Sequence, residues 1–189
     1  MYHRFEENKY PSTNIRNEIF SEHIKEINNS GIKFISFKKF ESNIGVSNTL
    51  AWSPDNTKFY FTDTLTGIIF SYDFDLEKGE ISNKQEFAKH DRGYPDGSTV
   101  DSEGGLWSCR WGGSSVIRFD PNGKVDEIVE VPVESVTNCT FGGENLDTLF
   151  ITTARWGMSQ EQIDNNPSAG GLFSVKLGIT GVADNQFGG

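Results

Sequence analysis

A unit of 41 to 48 residues recurs along this chain, each copy is made of short apolar stretches broken by Gly, Asn and Pro turns, and aromatic residues are abundant. These three observations predict an all-β fold, a β-propeller with about three blades present, preceded by a short N-terminal helical segment. The 189 residues include 15 Phe, 5 Tyr, 4 Trp and 20 Gly. Rings favour pleated, half-buried strands, and glycines favour the tight turns between them.

The first element reads as a helix over residues 12–30. Ile15, Ile19, Ile24 and Ile27 fall near helical spacing. Ser12 or Thr13 is placed to cap its start, and Asn28-Asn29-Ser30-Gly31 ends it. From Gly31 the period becomes two: Ile32, Phe34 and Ser36 alternate with Lys33, Ile35 and Phe37, a strand signal. The expected division is a helical or irregular segment over 1–31 and a blade domain over 32–189.

The repeats follow. The first runs Leu50-Ala51-Trp52-Ser53, a Pro54-Asp55-Asn56 turn, Lys58 to Asp63, then Gly67 to Asp73. The second runs Ser98 to Asp101, a Ser102-Glu103-Gly104-Gly105 turn, Leu106 to Arg110, then Ser115 to Asp120. The third runs Cys139 to Gly142, a Gly143-Glu144-Asn145 turn, Thr148 to Thr152, then Gly171 to Val175. Trp52, Val100 and Phe141 occupy matching places, which sets the spacings at 48 and 41 residues. Ile81–Phe87 and Val125–Val131 are fourth-strand candidates for the first two units, whereas the third unit has three strands. The Ile32–Phe40 strand either supplies that missing strand or is the outer strand of a preceding blade.

The net charge is −10. An acidic surface repels phosphate backbones and anionic lipid, so neither nucleic acid nor a membrane is an expected partner. No apolar run approaches the roughly 20 residues of a membrane helix, and Met1–Tyr10 carries no apolar signal core. Cys109 and Cys139 lack metal-pair spacing, and Cys109 lies in an apolar strand pattern as a small core residue. Nothing calls for an oxidising compartment, and a cytoplasmic location is expected.

The repeat also locates a site. Asn48, Asp96 and Thr137 each lie four residues before the matching positions Trp52, Val100 and Phe141. They stand just ahead of the first strand of each blade, and first strands line the central channel, so the three side chains should converge at its mouth. An amide oxygen and a carboxylate there suit a hard divalent cation. Pro95-Asp96-Gly97 also fits a tight turn presenting its carboxylate, although that tripeptide is common turn chemistry.

These residues carry a resemblance. Ser47-Asn48-Thr49-Leu50-Ala51-Trp52-Ser53 resembles a Ser-Asn-Gly-Leu-Ala-Trp-Ser segment of the senescence marker protein, gluconolactonase and regucalcin-like family. Pro95-Asp96-Gly97 with Val100 to Trp107 resembles its second signature. Arg110-Trp111-Gly112-Gly113, Arg118 to Gly123, Phe141-Gly142-Gly143, Thr152 to Arg155 and Ala169 to Phe173 continue it in order, so the match covers about residues 45–189, the C-terminal part. The resemblance implies a six-bladed propeller with one divalent metal ion (Ca, Zn, Mn or Mg) that hydrolyses a small-molecule sugar lactone. Of the family's ligands, the Asn and the Asp carry over as Asn48 and Asp96, and Asp96 is also the candidate general base. The Glu ligand and the substrate-contacting Arg and Asn are expected on blades before residue 45, where 44 residues stand. Glu18 lies on the expected helix, and no pattern makes it that ligand. Thr49 replaces the usual Gly, which restricts the backbone beside Asn48. An open half-ring is expected to self-associate, recruit a complementary half or aggregate. The rival expectation is a non-catalytic or Ca-binding propeller fragment acting as an interaction module.

Other candidates have plainer readings. His3, His23 and His90 have no Ser or Cys partner at suggestive spacing. Gly112-Gly113 and Gly142-Gly143 lack phosphate-loop flanks. Arg110 and Arg155 read first as surface ion-pair partners, Trp107 and Phe150 as inter-blade core, and Asp63, Asp73 and Asp120 as turn formers. Residues 164–167 lie in a long insertion, either a cover for the channel mouth or a plain loop.

Overall fold

The computed structural model describes residues 4–5, 14–15, 17–30 and 39–183. The chain forms two compact units, residues 1–40 and 41–189. In the first, strand β1 (Arg4–Phe5) pairs in parallel with β2 (Asn14–Ile15), and helix α1 spans Asn17–Asn29. The helix begins later than the isoleucine spacing suggests, because β-branched Ile15 is extended and belongs to β2. Ile19, Phe20, His23, Ile24 and Ile27 form a half-buried stripe. Glu18 is exposed in the first turn, where its charge complements the helix N-terminus. Ser12, Thr13 and nearly all of the Ile32–Phe40 strand fall outside the described residues.

The second unit holds three antiparallel sheets in chain order. Blade one is β3 (Ser47–Trp52), β4 (Lys58–Asp63), β5 (Ile68–Asp75) and β6 (Glu80–Lys89). Blade two is β7 (Tyr94–Val100), β8 (Leu106–Trp111), β9 (Ser115–Phe119) and β10 (Val125–Glu130). Blade three is β11 (Val136–Gly142), β12 (Thr148–Thr153) and β13 (Leu172–Lys176). Both fourth-strand candidates are strands, and the third sheet has three. Within the long insertion, a short helix α2 (Gln160–Asn165) is capped by Ser159 and Gln162.

The first strands stand side by side, β3 on β7 and β7 on β11. Blade two is sandwiched, so β8 and β9 are buried almost throughout. Its residues alternate between two cores: Leu106, Ile117 and Phe119 meet Ala51, Tyr60 and Ile69 of blade one, while Trp107, Cys109 and Val116 meet Phe141, Leu149 and Ile151 of blade three. Trp107 is fully buried, as expected. Phe150 is only half-buried and lies over Gly142, since its neighbours Leu149 and Ile151 already point to the core and strand alternation turns Phe150 the other way.

The β7–β8 turn is held by a buried carboxylate. Asp101 accepts from the N–H groups of Glu103 and Gly105, both at 2.9 Å, from Trp107 Nε1 at 2.8 Å and from Arg118 Nε at 2.7 Å. Arg118 reaches Glu103 and Asp126 as well. The chain after β13 crosses to this turn, where Ser102 N–H donates to the Thr180 carbonyl at 2.8 Å. Among the described residues no helix is long and apolar enough to cross a membrane.

Candidate functional site

Each first strand carries the same irregularity. From Asn48 to Ala51, β3 advances three residues while β4 advances two, from Thr62 to Tyr60. From Pro95 to Ser98, β7 advances three against two on β8. From Val136 to Asn138, β11 advances two against one on β12. One extra residue is therefore inserted in all three blades, at Asn48, Asp96 and Thr137 or directly beside them. A bulge bends the strand and re-aims its side chains. The three residues lie inside the first strands, not ahead of them, because pairing resumes beyond each bulge.

The bulges of blades one and two are tied together. Asn48 Nδ2 donates to Thr64 Oγ1 at 3.0 Å, and Thr64 Oγ1 donates to the Pro95 carbonyl at 2.8 Å. Thr49 Oγ1 donates to the Asp96 carbonyl at 2.8 Å and lies 3.0 Å from Ser98 Oγ. Asp63 supports this edge by accepting from the N–H groups of Gly45, Val46 and Leu65, so its carboxylate is consumed by the turn. Asp120 likewise accepts from Asn122 and Lys124 N–H. Asp73 instead makes cross-strand contacts, with Lys58 Nζ at 2.5 Å and Asn83 Nδ2 at 2.6 Å.

Burial pushes the Asp96 carboxyl up to about 6, while hydrogen bonds from the Gly97 N–H and the Asn48 amide pull it partly back. Among the described residues no cationic side chain contributes to that position. A carboxylate withdrawn from water beside an amide, without a cation of its own, is an arrangement that a divalent ion would satisfy. The Asn48 amide nitrogen donates to both Thr64 Oγ1 and the Asp96 carboxylate. The Thr137 hydroxyl is engaged with Thr152 Oγ1 at 2.8 Å. Among the described residues no cluster of three or more His, Cys, Asp or Glu stands together. The oxygen-bearing groups here are one carboxylate and one amide, the donor types a hard cation prefers.

Arg110 differs from its expected place. It is fully buried, not a surface ion-pair partner. Its Nε donates to the Arg92 carbonyl at 2.9 Å, and its Nη2 to the carbonyls of His90 and Gly93 at 3.0 and 2.9 Å. Three loop carbonyls thus replace a carboxylate, and desolvation lowers the guanidinium to about 10. Arg110 pairs with Pro95 in register, so it braces the segment that enters Asp96. Arg155 is exposed. Cys109 and Cys139 are both buried and free; burial, then the neighbouring Cys139, raises the Cys109 thiol well above its usual range.

Sequence reasoning missed Thr64 and the hydroxyl of Thr49, whose bonds join blades far apart in the chain. It also missed an aromatic pair: Trp111, ending β8, and Trp156, after β12, bring their rings to 6.2 Å. Trp156 is 73% exposed. Both stand where the second strands end, beside the starts of β7 and β11. A groove of about 420 Å³ follows the first strands away from this end, lined by Leu50, Trp52, Val100, Asn138, Thr140 and Val182 among others. Neither Asn48 nor Asp96 is in its wall, so it is distinct from the polar site.

The sequence model of the SMP-30/Gluconolactonase/LRE-like region matches residues 29–155. Human regucalcin is 39% identical over 156 residues, which is 80% of this chain and 52% of that protein. The structure of a calcium-binding protein, regucalcin from Agrobacterium tumefaciens, superposes with a TM-score of 0.73 at 30% identity, over 77% of this chain and 50% of that one. A gluconolactonase from Xanthomonas campestris gives a TM-score of 0.52 at 32% identity, over 59% of this chain and 36% of that one. The chain spans about half the length of the curated relatives it matches.

Proposed function

We propose, on the premise that this chain belongs to the SMP-30/gluconolactonase/LRE-like family, that it hydrolyses a sugar lactone to the hydroxy acid at the site formed by Asn48 and Asp96. The observation that carries the reading is Asp96, half-buried, without a cationic neighbour and set beside Asn48 by paired bulges. A gluconolactonase among the structural relatives supports the lactone as substrate, and a calcium-binding regucalcin supports the cation.

Asn48 Oδ1 and the Asp96 carboxylate would hold one divalent ion, Ca, Mn, Mg or Zn. When bound, such an ion polarises a carbonyl and acidifies water. Asp96 takes a proton from the attacking water as the water oxygen bonds to the lactone carbonyl carbon. The ring carbon–oxygen bond then breaks, and Asp96 returns that proton to the departing ring oxygen. Without a metal, burial raises this carboxyl above the usual carboxylate range, which makes it the more basic acceptor. The Asn48 amide nitrogen serves both Thr64 Oγ1 and the Asp96 carboxylate, which fixes the amide beside that carboxylate. The Trp111–Trp156 pair offers an apolar platform for the C–H face of a sugar ring.

A second reading is a Ca-binding or interaction module without turnover. It is favoured by the small donor set: among the described residues no three His, Cys, Asp or Glu stand together. Gluconolactone hydrolysis by the purified chain, with Ca²⁺, Mn²⁺ or Zn²⁺ added in turn against a chelated control, separates the two. Metal-dependent turnover above the spontaneous rate supports the enzyme. Metal binding without turnover supports the module.

A further inference from the structure

We infer that Thr49 is a positioning residue: its hydroxyl, on blade one, fixes the backbone of Asp96 on blade two and so sets where that carboxylate stands. The inference rests on the reading of Asp96 as ligand and base.

Thr49 has φ +53°, in the left-handed region where a β-branched residue is an outlier. Glycine is the residue that meets such a backbone without strain. Thr49 is 1% exposed, so its side chain is held in the protein and not free in solvent. Its hydroxyl donates to the Asp96 carbonyl at 2.8 Å and also meets Ser98 Oγ. Both flanks of the Asp96–Gly97–Ser98 bulge are therefore gripped from one side chain.

The matching position in blade two shows what the fold otherwise requires. A Cβ on Gly97 would lie 2.3 Å from Asn138 Oδ1 and 2.7 Å from the Thr137 carbonyl. Neighbouring first strands approach too closely there for any side chain. At Thr49 the same kind of approach is filled, and the filling group is a hydrogen-bond donor aimed at the next blade's site residue. Thr64 provides a second clasp, on the Pro95 carbonyl, and the same hydroxyl accepts from Asn48. Blade one thus holds the Pro95–Asp96 peptide at two successive carbonyls, and Asn48 is anchored to that clasp. Removing the Thr49 hydroxyl frees the second carbonyl while leaving Asn48 in place, so the Asn48 amide and the Asp96 carboxylate lose their fixed separation.

The test compares Thr49→Val, Thr49→Ser and Thr49→Gly with the unchanged full chain. Valine keeps the branch and the strain but has no hydroxyl, serine keeps the hydroxyl, and glycine removes both hydroxyl and strain. Three readouts are taken: the Gly97 amide chemical shift in metal-free protein, the Mn²⁺ dissociation constant by calorimetry, and kcat and KM for gluconolactone. For Val and Gly, the Gly97 amide is expected to move, Mn²⁺ to bind about tenfold more weakly, and kcat to fall between about 10- and 100-fold, the range for misplacing a reacting group by up to about 1 Å. KM is expected to change less than about threefold, because a positioning defect falls on the reacting step. Serine is expected to restore all three. Should Val fail to fold, Gly decides, since it relaxes the backbone. Wild-type metal dependence and turnover, with Gly or Val matching wild type within about twofold in Mn²⁺ affinity and kcat, would overturn the positioning role and leave the site reading standing. A wild-type chain that neither binds Mn²⁺ nor hydrolyses lactone would overturn the site reading, and this inference with it.

Discussion

Replacing Asp96 by asparagine is expected to make the metal-free protein more stable at neutral pH, with a gain that shrinks in acid. The carboxyl is pushed up to about 6 by burial, against an ordinary value of about 3.9. A carboxyl with a raised pKa in the folded state is destabilising once the unfolded chain ionises. The penalty is absent below about pH 4, grows between about 4 and 6, and is complete above that. A displacement of about two pH units is worth at most about 3 kcal/mol. Asp96 is only partly withdrawn from water, so about 1–2 kcal/mol is the realistic gain in Asp96→Asn at pH 7.5. At pH 4.5 the same linkage leaves about a third of it. The assay is urea unfolding of both proteins with a chelator, at the two pH values; in thermal unfolding the pH 7.5 gain corresponds to roughly 2–8 °C. A variant less stable than the parent at pH 7.5, or a gain equal at both pH values, would refute the account. The same variant is expected to lose metal-dependent hydrolysis, so stability and activity part company at this residue.

Three further outcomes are expected. Because a proton and a cation compete for one carboxylate, calorimetric Mn²⁺ affinity should fall about tenfold for each pH unit below about 6 and level off above it. Gly97→Ala places a Cβ 2.3 Å from Asn138 Oδ1 and against the Thr137 carbonyl, so urea unfolding should show a loss of about 1–3 kcal/mol. Asp101→Asn removes the buried anion that Arg118, Trp107 and two backbone N–H groups share; Arg118 keeps Glu103 and Asp126, which puts the loss near the lower end of the range for broken buried pairs, about 3 kcal/mol.

What the sequence disclosed and what it withheld follow from the range of the interactions. Strand period and turn chemistry are local, so the repeat anchored on Trp52, Val100 and Phe141 gave the blades and both fourth strands. Equivalent positions in a repeat lead to equivalent places, so Asn48 and Asp96 fell on matching bulges of neighbouring first strands. The bulges themselves were invisible, because an extra residue is defined only against a partner strand. Thr49 was read as lost backbone freedom, since its acceptor stands 47 residues away. Arg110 was misread because its partners are backbone carbonyls of the His90–Gly93 loop, which carry no side-chain signal. Phe150 was misassigned by hydrophobicity alone, where the alternation set by Leu149 and Ile151 decides.

The site is best understood as one device used three times. A bulge near the head of each first strand re-aims one side chain, whatever that side chain is. The blades then differ at that position: an amide on the first, a carboxylate on the second, a hydroxyl on the third. Backbone geometry comes with the repeat, and the chemistry is written by single residues upon it. That arrangement has a weakness, because a bulge lacks part of the ladder that makes strands rigid. The inter-blade bonds answer it. Thr49 and Thr64 replace the missing ladder at Asp96 with hydroxyl bonds from the neighbouring blade, and Arg110 does so from within the same sheet by holding the incoming loop. Each brace ends on backbone carbonyls, so none of them engages the Asp96 carboxylate, which meets only the Gly97 N–H and the Asn48 amide. A brace through the carboxylate itself, of the kind that fixes Asp101, would have given equal rigidity and tied up the group proposed here as ligand and base.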